Sequence, residues 1–184
     1  MKRVILGSVL AAVAMFFWGF LYWAVFSFPY QIMAPAPNQQ ALAKTIGDAL
    51  PASGVYLLPH PKVGSEEEMT KLFRAGPLVQ INLQKQGMDP VQGSIFLWGF
   101  VHMLVSCVLM ALALRAVAPA AAGFAARLQI TALAGLAGAC YSNLGKPIWW
   151  HQTWDYHLLN FGFDLGSWLL AALVLAWFVR DPSS

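Results

Sequence analysis

Charge is scarce in this 184-residue chain: Asp, Glu, Lys and Arg together make up 10% of it. A soluble domain carries about a quarter of its residues charged, so an ordinary soluble domain and a disordered chain are both poor descriptions. The eleven Lys and Arg form no cluster or stripe, which removes the electrostatic footprint of a nucleic-acid-binding protein despite a net charge of +3. Cysteine is nearly absent, with only Cys107 and Cys140. No HExxH, no CxxC and no nucleophile with an assigned base occurs, so no enzyme class is indicated and the chain reads more as a non-enzyme.

What fills the chain is apolar: 59% of residues fall in the set AVILMFWYC, including eight Trp, and the mean hydropathy is +0.59. A bilayer core takes about 20 mostly apolar residues per helix. Four stretches qualify, at residues 4–28, 94–114, about 122–142 and 157–179. The first follows Met1-Lys2-Arg3 and could pass for a signal peptide, but Phe16-Phe17-Trp18-Gly19-Phe20 beyond Ala14 marks an uncleaved anchor. Lys2, Arg3, Arg115, Arg127 and Arg180 flank the spans on one side and Lys146 alone on the other. By the excess of basic residues, both termini are expected in the cytoplasm. Counted along oppositely running spans, Cys107 lies about 20 Å deep and Cys140 near the surface, too far apart to bridge.

The expected architecture is an all-α, four-helix transmembrane bundle, N-in and C-in, with a small α+β extracytoplasmic insertion. Residues 1–28 form the first span, 29–93 the insertion, and 94–184 the remaining spans with a Trp-rich outer loop at 144–156. Within the insertion, Asn38 can cap a helix through Ala49, and Val55 to Leu58 reads as a strand. Ser65 with Glu68 has capping-box spacing for a helix through Phe73, and Leu78 to Leu83 alternates as a second strand should. So little core must pack on the spans or on a partner. His60 reads first as an exposed loop histidine, and Glu66 to Glu68 as charge favourable to a helix N-terminus.

Ionisable groups inside spans demand a reason. At 100° per residue, His157, Asn160, Asp164, Ser167 and Trp168 share one side of the last span, while Gly162 and Gly166 make a small stripe opposite. Ser94, Trp98, His102 and Ser106 recur every four residues on the second. His102 and Asp164 fall at similar depth, about 10 to 12 Å, so the two stripes are expected to meet as a polar site of His102, Asp164, Asn160 and Ser106. A packing pair, a proton relay or a substrate contact each fits that pairing, and one Asp with one His is too few for a metal. The third span offers small pairs, Ala134 with Gly138 and Gly135 with Ala139, and is expected at the bundle centre. Residues 16–20 and 96–100 share F-x-W-G-F, a match that aromatic-rich spans generate readily.

Trp149, Trp150, His151, Trp154, Asp155 and His157 crowd the outer loop, where Trp and Tyr ordinarily form an interfacial belt. On Trp149, Trp150, Trp154 and Asp155 the loop also resembles the Trp-rich external loop of haem-handling proteins of cytochrome c maturation. That resemblance implies haem, with His151 and His157 as ligands; a ligand pocket roofed by the loop would have His102 and Asp164 below it, with Trp98 as a further candidate contact. Over most of its length the chain resembles a family of small bacterial four-span integral membrane proteins without assigned function. The resemblance rests on Phe17-Trp18-Gly19, Ser53-Gly54-Val55-Tyr56-Leu57-Leu58-Pro59, Gly76-Pro77-Leu78-Val79 and Asp164-Leu165-Gly166-Ser167-Trp168-Leu169. It implies a bacterial inner (cytoplasmic) membrane location with residues 29–93 periplasmic.

The expected role is a non-catalytic accessory or scaffold protein that contacts lipid and a membrane-protein partner or a second copy. Haem, metal or small-ligand binding under the Trp-rich loop is the alternative. Proton-coupled transport or membrane enzymology through Asp164 and His102 is another.

Overall fold

The computed structural model describes residues 1–26, 28–62, 64–117 and 123–179. Arg180 and the start of the third expected span at residue 122 lie outside the described residues. The chain divides into two compact units, Met1–Ala34 with Gln92–Ser184, and Pro35–Val91.

In the first unit, α1 (Lys2–Phe20) continues as a π-helical turn (Leu21–Val25), and a short α2 (Phe28–Ile32) follows. After the second unit come α5 (Gly93–Ala116) and α6 (Phe124–Ala139), which widens into a second π-helical turn (Cys140–Leu144). A short α7 (Gly145–Trp150) and α8 (Trp154–Phe178) complete it. Three helices are long and apolar enough to cross a membrane: Lys2–Val25, Gly93–Ala116 and Trp154–Phe178. That is the character of a membrane protein. The third expected span is shorter as an α-helix, 16 residues, and has Arg127 and Gln129 near one end.

α8 packs against both α1 and α6, and α1 packs against α5 as well. The centre is therefore held by α1 and α8, not by the Ala- and Gly-rich α6. Arg115 lies against Met1, a Cβ on Gly7 would touch Phe178, and Arg127 Nε donates to Ala176 O at 3.0 Å. These contacts fix an alternating up-and-down order and gather Lys2, Arg3, Arg115 and Arg127 toward one end. Arg127 is buried there, on the terminal carbonyls of α8, where a cation complements the helix dipole.

Each seam has a readable cause. Between α1 and α5, Cys107 Sγ sits 3.4 Å from Met15 Sδ, Ala11 and Ala111 let the backbones close, and Phe16 meets Phe100 edge-on at 5.9 Å. Both cysteines are free. Between α6 and α8, every fourth residue of the α6 strand of chain, Arg127, Thr131, Gly135, Ala139 and Asn143, is buried. Of the two small pairs on α6, Gly135 and Ala139 face the seam, while Ala134 and Gly138 face outward. Trp168 fills the space that Gly135 leaves, 2.4 Å from where a Cβ would stand.

The second unit, taken by itself, contains α3 (Gln39–Ala49), β1 (Gly54–Leu58), α4 (Glu66–Ala75) and β2 (Val79–Leu83). The strands pair antiparallel with Tyr56 opposite Ile81. Lys85 ties the end of β2 to the end of α3, its Nζ donating to Leu50 O at 2.7 Å and its N–H to Ser53 Oγ at 2.9 Å. The capping box is present in both directions: Glu68 N–H donates to Ser65 Oγ, and Ser65 N–H to Glu68 Oε2. Asn38 stands before α3 in a left-handed conformation, φ 52°, without a side-chain cap. Its backbone carbonyl accepts from Leu42 N–H instead. His60 is exposed, and its Nδ1 accepts from Lys62 N–H.

Candidate functional site

The polar groups of the spans are used between helices, along two lines of α8. Gly162 and Gly166 lie one turn after Leu159 and Phe163, whose carbonyls each meet an aromatic donor. Tyr22 OH donates to Leu159 O at 2.8 Å and Trp18 Nε1 to Phe163 O at 3.1 Å. A Cβ on Gly166 would stand 2.8 Å from Trp18 Cζ2, so glycine is what admits the indole. Trp18 on α1 and Tyr22 in the π-helical turn that continues it are four residues apart, and their acceptors are four apart on α8, running the opposite way. Trp23 and Phe163 close the cluster edge-on at 5.8 Å. The small stripe on α8 is thus a receptor for two aromatic donors.

On the other line, Asp164 Oδ2 accepts from Asn143 Nδ2 at 2.7 Å. Asn143 is buried in the π-helical turn after α6, and its amide also reaches Ala139 O at 3.1 Å and Ser142 Oγ at 3.0 Å. π-helical turns in α-helices often lie at functional positions; here the wider turn carries the donor that satisfies an intramembrane carboxyl. Among the described residues this is the hydrogen bond the Asp164 side chain makes.

The expected meeting of His102 with Asp164 is not what the structure holds. α5 rests on α1, whereas the polar side of α8 faces α6. His102 is exposed on the outward side of α5, and Ser106 Oγ turns back to His102 O at 3.0 Å. Asn160 Nδ2 likewise bonds back within its own helix, to Tyr156 O at 2.7 Å. Expected depth says nothing about which helices are neighbours. Of the four expected polar residues, only Asp164 makes a side-chain bond to another helix.

The Trp-rich stretch is mostly helical. α7 runs to Trp150, His151 turns the chain with φ 53°, and α8 starts at Trp154, three residues before the span expected from hydropathy. Asp155 in its first turn complements the helix N-terminus. An open depression of about 750 Å³ lies over the π-helical turn and α7, lined by Tyr141, Ser142, Lys146, Trp149 and Trp150 among others. Of the expected ligand set, Trp149 and Trp150 line it; His151, Trp154, Asp155, His157 and Trp98 do not. His157 is buried with Nε2 2.6 Å from Gln152 Oε1, and Trp98 is 67% exposed on α5. No group of three His, Cys, Asp or Glu side chains among the described residues is placed to hold a metal ion.

The two F-x-W-G-F copies differ in use. Trp18 is bonded and Gly19 lies near Phe163, whereas Trp98 and Gly99 face open space. No protein-family model, curated protein or solved structure matches the chain.

Proposed function

We propose that the chain is a non-catalytic accessory or scaffold protein of a bacterial inner membrane, crossing it four times with both termini in the cytoplasm and residues 29–93 in the periplasm. The observation that carries this reading is the use of the buried and half-buried polar groups. Asp164, Asn143, Trp18, Tyr22 and Arg127 each make a bond that joins two helices, or supply one. A proton path or substrate site needs such groups turned toward a cavity, and these are spent on holding helices together. The basic residues gathered at one end of the first unit support the orientation, and the exposed Trp149, Trp150 and Trp154 support a membrane interface at the other. With π-helical turn included, residues 124–144 reach about 30 Å, enough for the fourth crossing.

The test is isolation of the tagged full-length chain from native membranes in mild detergent, followed by ultraviolet–visible spectroscopy and elemental analysis. The reading requires co-elution with one larger complex in constant proportion and a spectrum without a Soret band. A stoichiometric haem or metal lost in His102→Leu or His157→Ala would put ligand binding in its place. A proton-dependent activity abolished by Asp164→Asn would put transport there.

A further inference from the structure

α5 is the long helix that the fold covers least: 11% of its apolar window is buried, against 33% and 28% in the other two long helices. Cys107, Ala111 and Leu114 rest inward. On the opposite side Ile95, Trp98, His102, Val105, Leu109 and Leu112 follow at spacings of three and four, all exposed. That spacing alone suits lipid as well as protein. His102 does not suit lipid. It lies nine residues into a 24-residue helix, about 13.5 Å from its start, and an imidazole is too short to reach the interface from there. Its ring has no hydrogen-bond partner among the described residues. A polar group left bare in hydrocarbon is costly, so this face asks for a cover that brings a donor or acceptor to that depth.

We propose that the outward face of α5 is a homodimer interface, in which one neutral His102 imidazole donates its N–H to the unprotonated ring nitrogen of His102 in a second copy. A neutral imidazole carries one donor and one acceptor, so it is complementary to itself. A two-fold axis along the membrane normal sets every residue against its own counterpart at the same depth, which is the match His102 needs. Beside it Gly99 has open space where a Cβ would stand, and small residues let helix backbones approach. Val105 and Leu109 continue the seam toward the basic end.

The inference rests on the membrane-spanning reading, and the experiment separates the two. In full-length protein with Cys107 and Cys140 replaced by Ser, single cysteines are placed at Val105 or at Leu133, which is exposed on α6. Oxidation in native membranes is expected to cross-link Val105→Cys about tenfold more than Leu133→Cys. Adding His102→Leu should weaken dimerisation about three- to tenfold, the range for one interhelical hydrogen bond, while His102→Gln keeps most of it. Equal cross-linking at the two positions, or an unaltered yield in His102→Leu, overturns the dimer. A monomer that stays in the membrane through alkaline carbonate extraction overturns the dimer alone; release into the aqueous phase overturns the membrane reading with it.

Discussion

Gly135→Ala adds one methyl group where the seam between α6 and α8 has no room. Its Cβ would stand 2.4 Å from Trp168 Cβ and 2.5 Å from Trp168 Cγ, against about 3.5 to 4 Å for ordinary carbon contact. Trp168 Cβ is fixed to its backbone and cannot swing aside, so the helices must part by about 1 Å at that point. The bonds that close the seam lie eight residues to either side, Asn143 to Asp164 at 2.7 Å and Arg127 to Ala176 O at 3.0 Å. A 1 Å opening takes at least one beyond hydrogen-bond reach. Overpacking costs about 1 to 3 kcal/mol and a lost interhelical bond about 0.6 to 1.7, which together give about 2 to 5 kcal/mol. Alanine favours helix over glycine by up to about 1 kcal/mol, and Gly138→Ala controls for that, since a Cβ there meets nothing within 4 Å. Reversible unfolding in mixed micelles, followed by far-ultraviolet circular dichroism, should show Gly135→Ala about 2 to 5 kcal/mol less stable than Gly138→Ala. Stabilities within about 0.5 kcal/mol of each other would refute the packing argument.

The aromatic seam makes a parallel claim: Trp18→Phe and Tyr22→Phe each lose one helix-to-helix bond and should cost about 0.6 to 1.7 kcal/mol in the same assay. Gly166→Ala displaces the indole, so in Trp18→Leu it should cost at least about 1 kcal/mol less than in the parent, and strict additivity would count against the contact. Asp164→Asn keeps an acceptor for Asn143 and should stay within about 0.5 kcal/mol of the parent, whereas Asp164→Leu removes the helix-to-helix bond, leaves Asn143 Nδ2 only Ala139 O and Ser142 Oγ on its own side, and should cost about 1 to 2 kcal/mol. Equal effects of these two would mean the bond to Asn143 is not what Asp164 provides. In the second unit, Ser65→Ala should lose about 1 kcal/mol locally, read as about fivefold faster amide exchange in residues 66–75, and Ser65→Asp should restore it.

Local features were the legible ones. The Ser65–Glu68 box is written in four residues, and the two strands in five each, so neither depends on distant chain. The three longest helices follow from apolar length. Which faces meet was not legible, because lipid is as apolar as a helix interior and burial leaves no strong periodic signal in a span. His102 and Asp164 illustrate it: their depths agree, yet α5 lies against α1 and the donor for Asp164 comes from Asn143. Gly162 and Gly166 were visible as a small stripe, and Trp18 and Tyr22 as aromatics four apart on the first span. Only the antiparallel pairing shows that Gly166 admits the Trp18 indole and that Leu159 O and Phe163 O accept from the two rings. The Trp-rich stretch was read as a loop, yet α7 continues directly from the π-helical turn and leaves only residues 151–153 between α7 and α8.

The proposed topology has four crossings with both ends in the cytoplasm. Single cysteines at Lys2, Lys85, Arg115 and Trp149, in full-length protein whose own two cysteines are replaced by Ser, would be labelled in intact spheroplasts with a membrane-impermeant thiol reagent. Positions 85 and 149 should label from outside, and positions 2 and 115 only after the membrane is opened. Labelling of 149 together with 115 from the same side would mean that residues 124–144 do not cross, and would contradict the account.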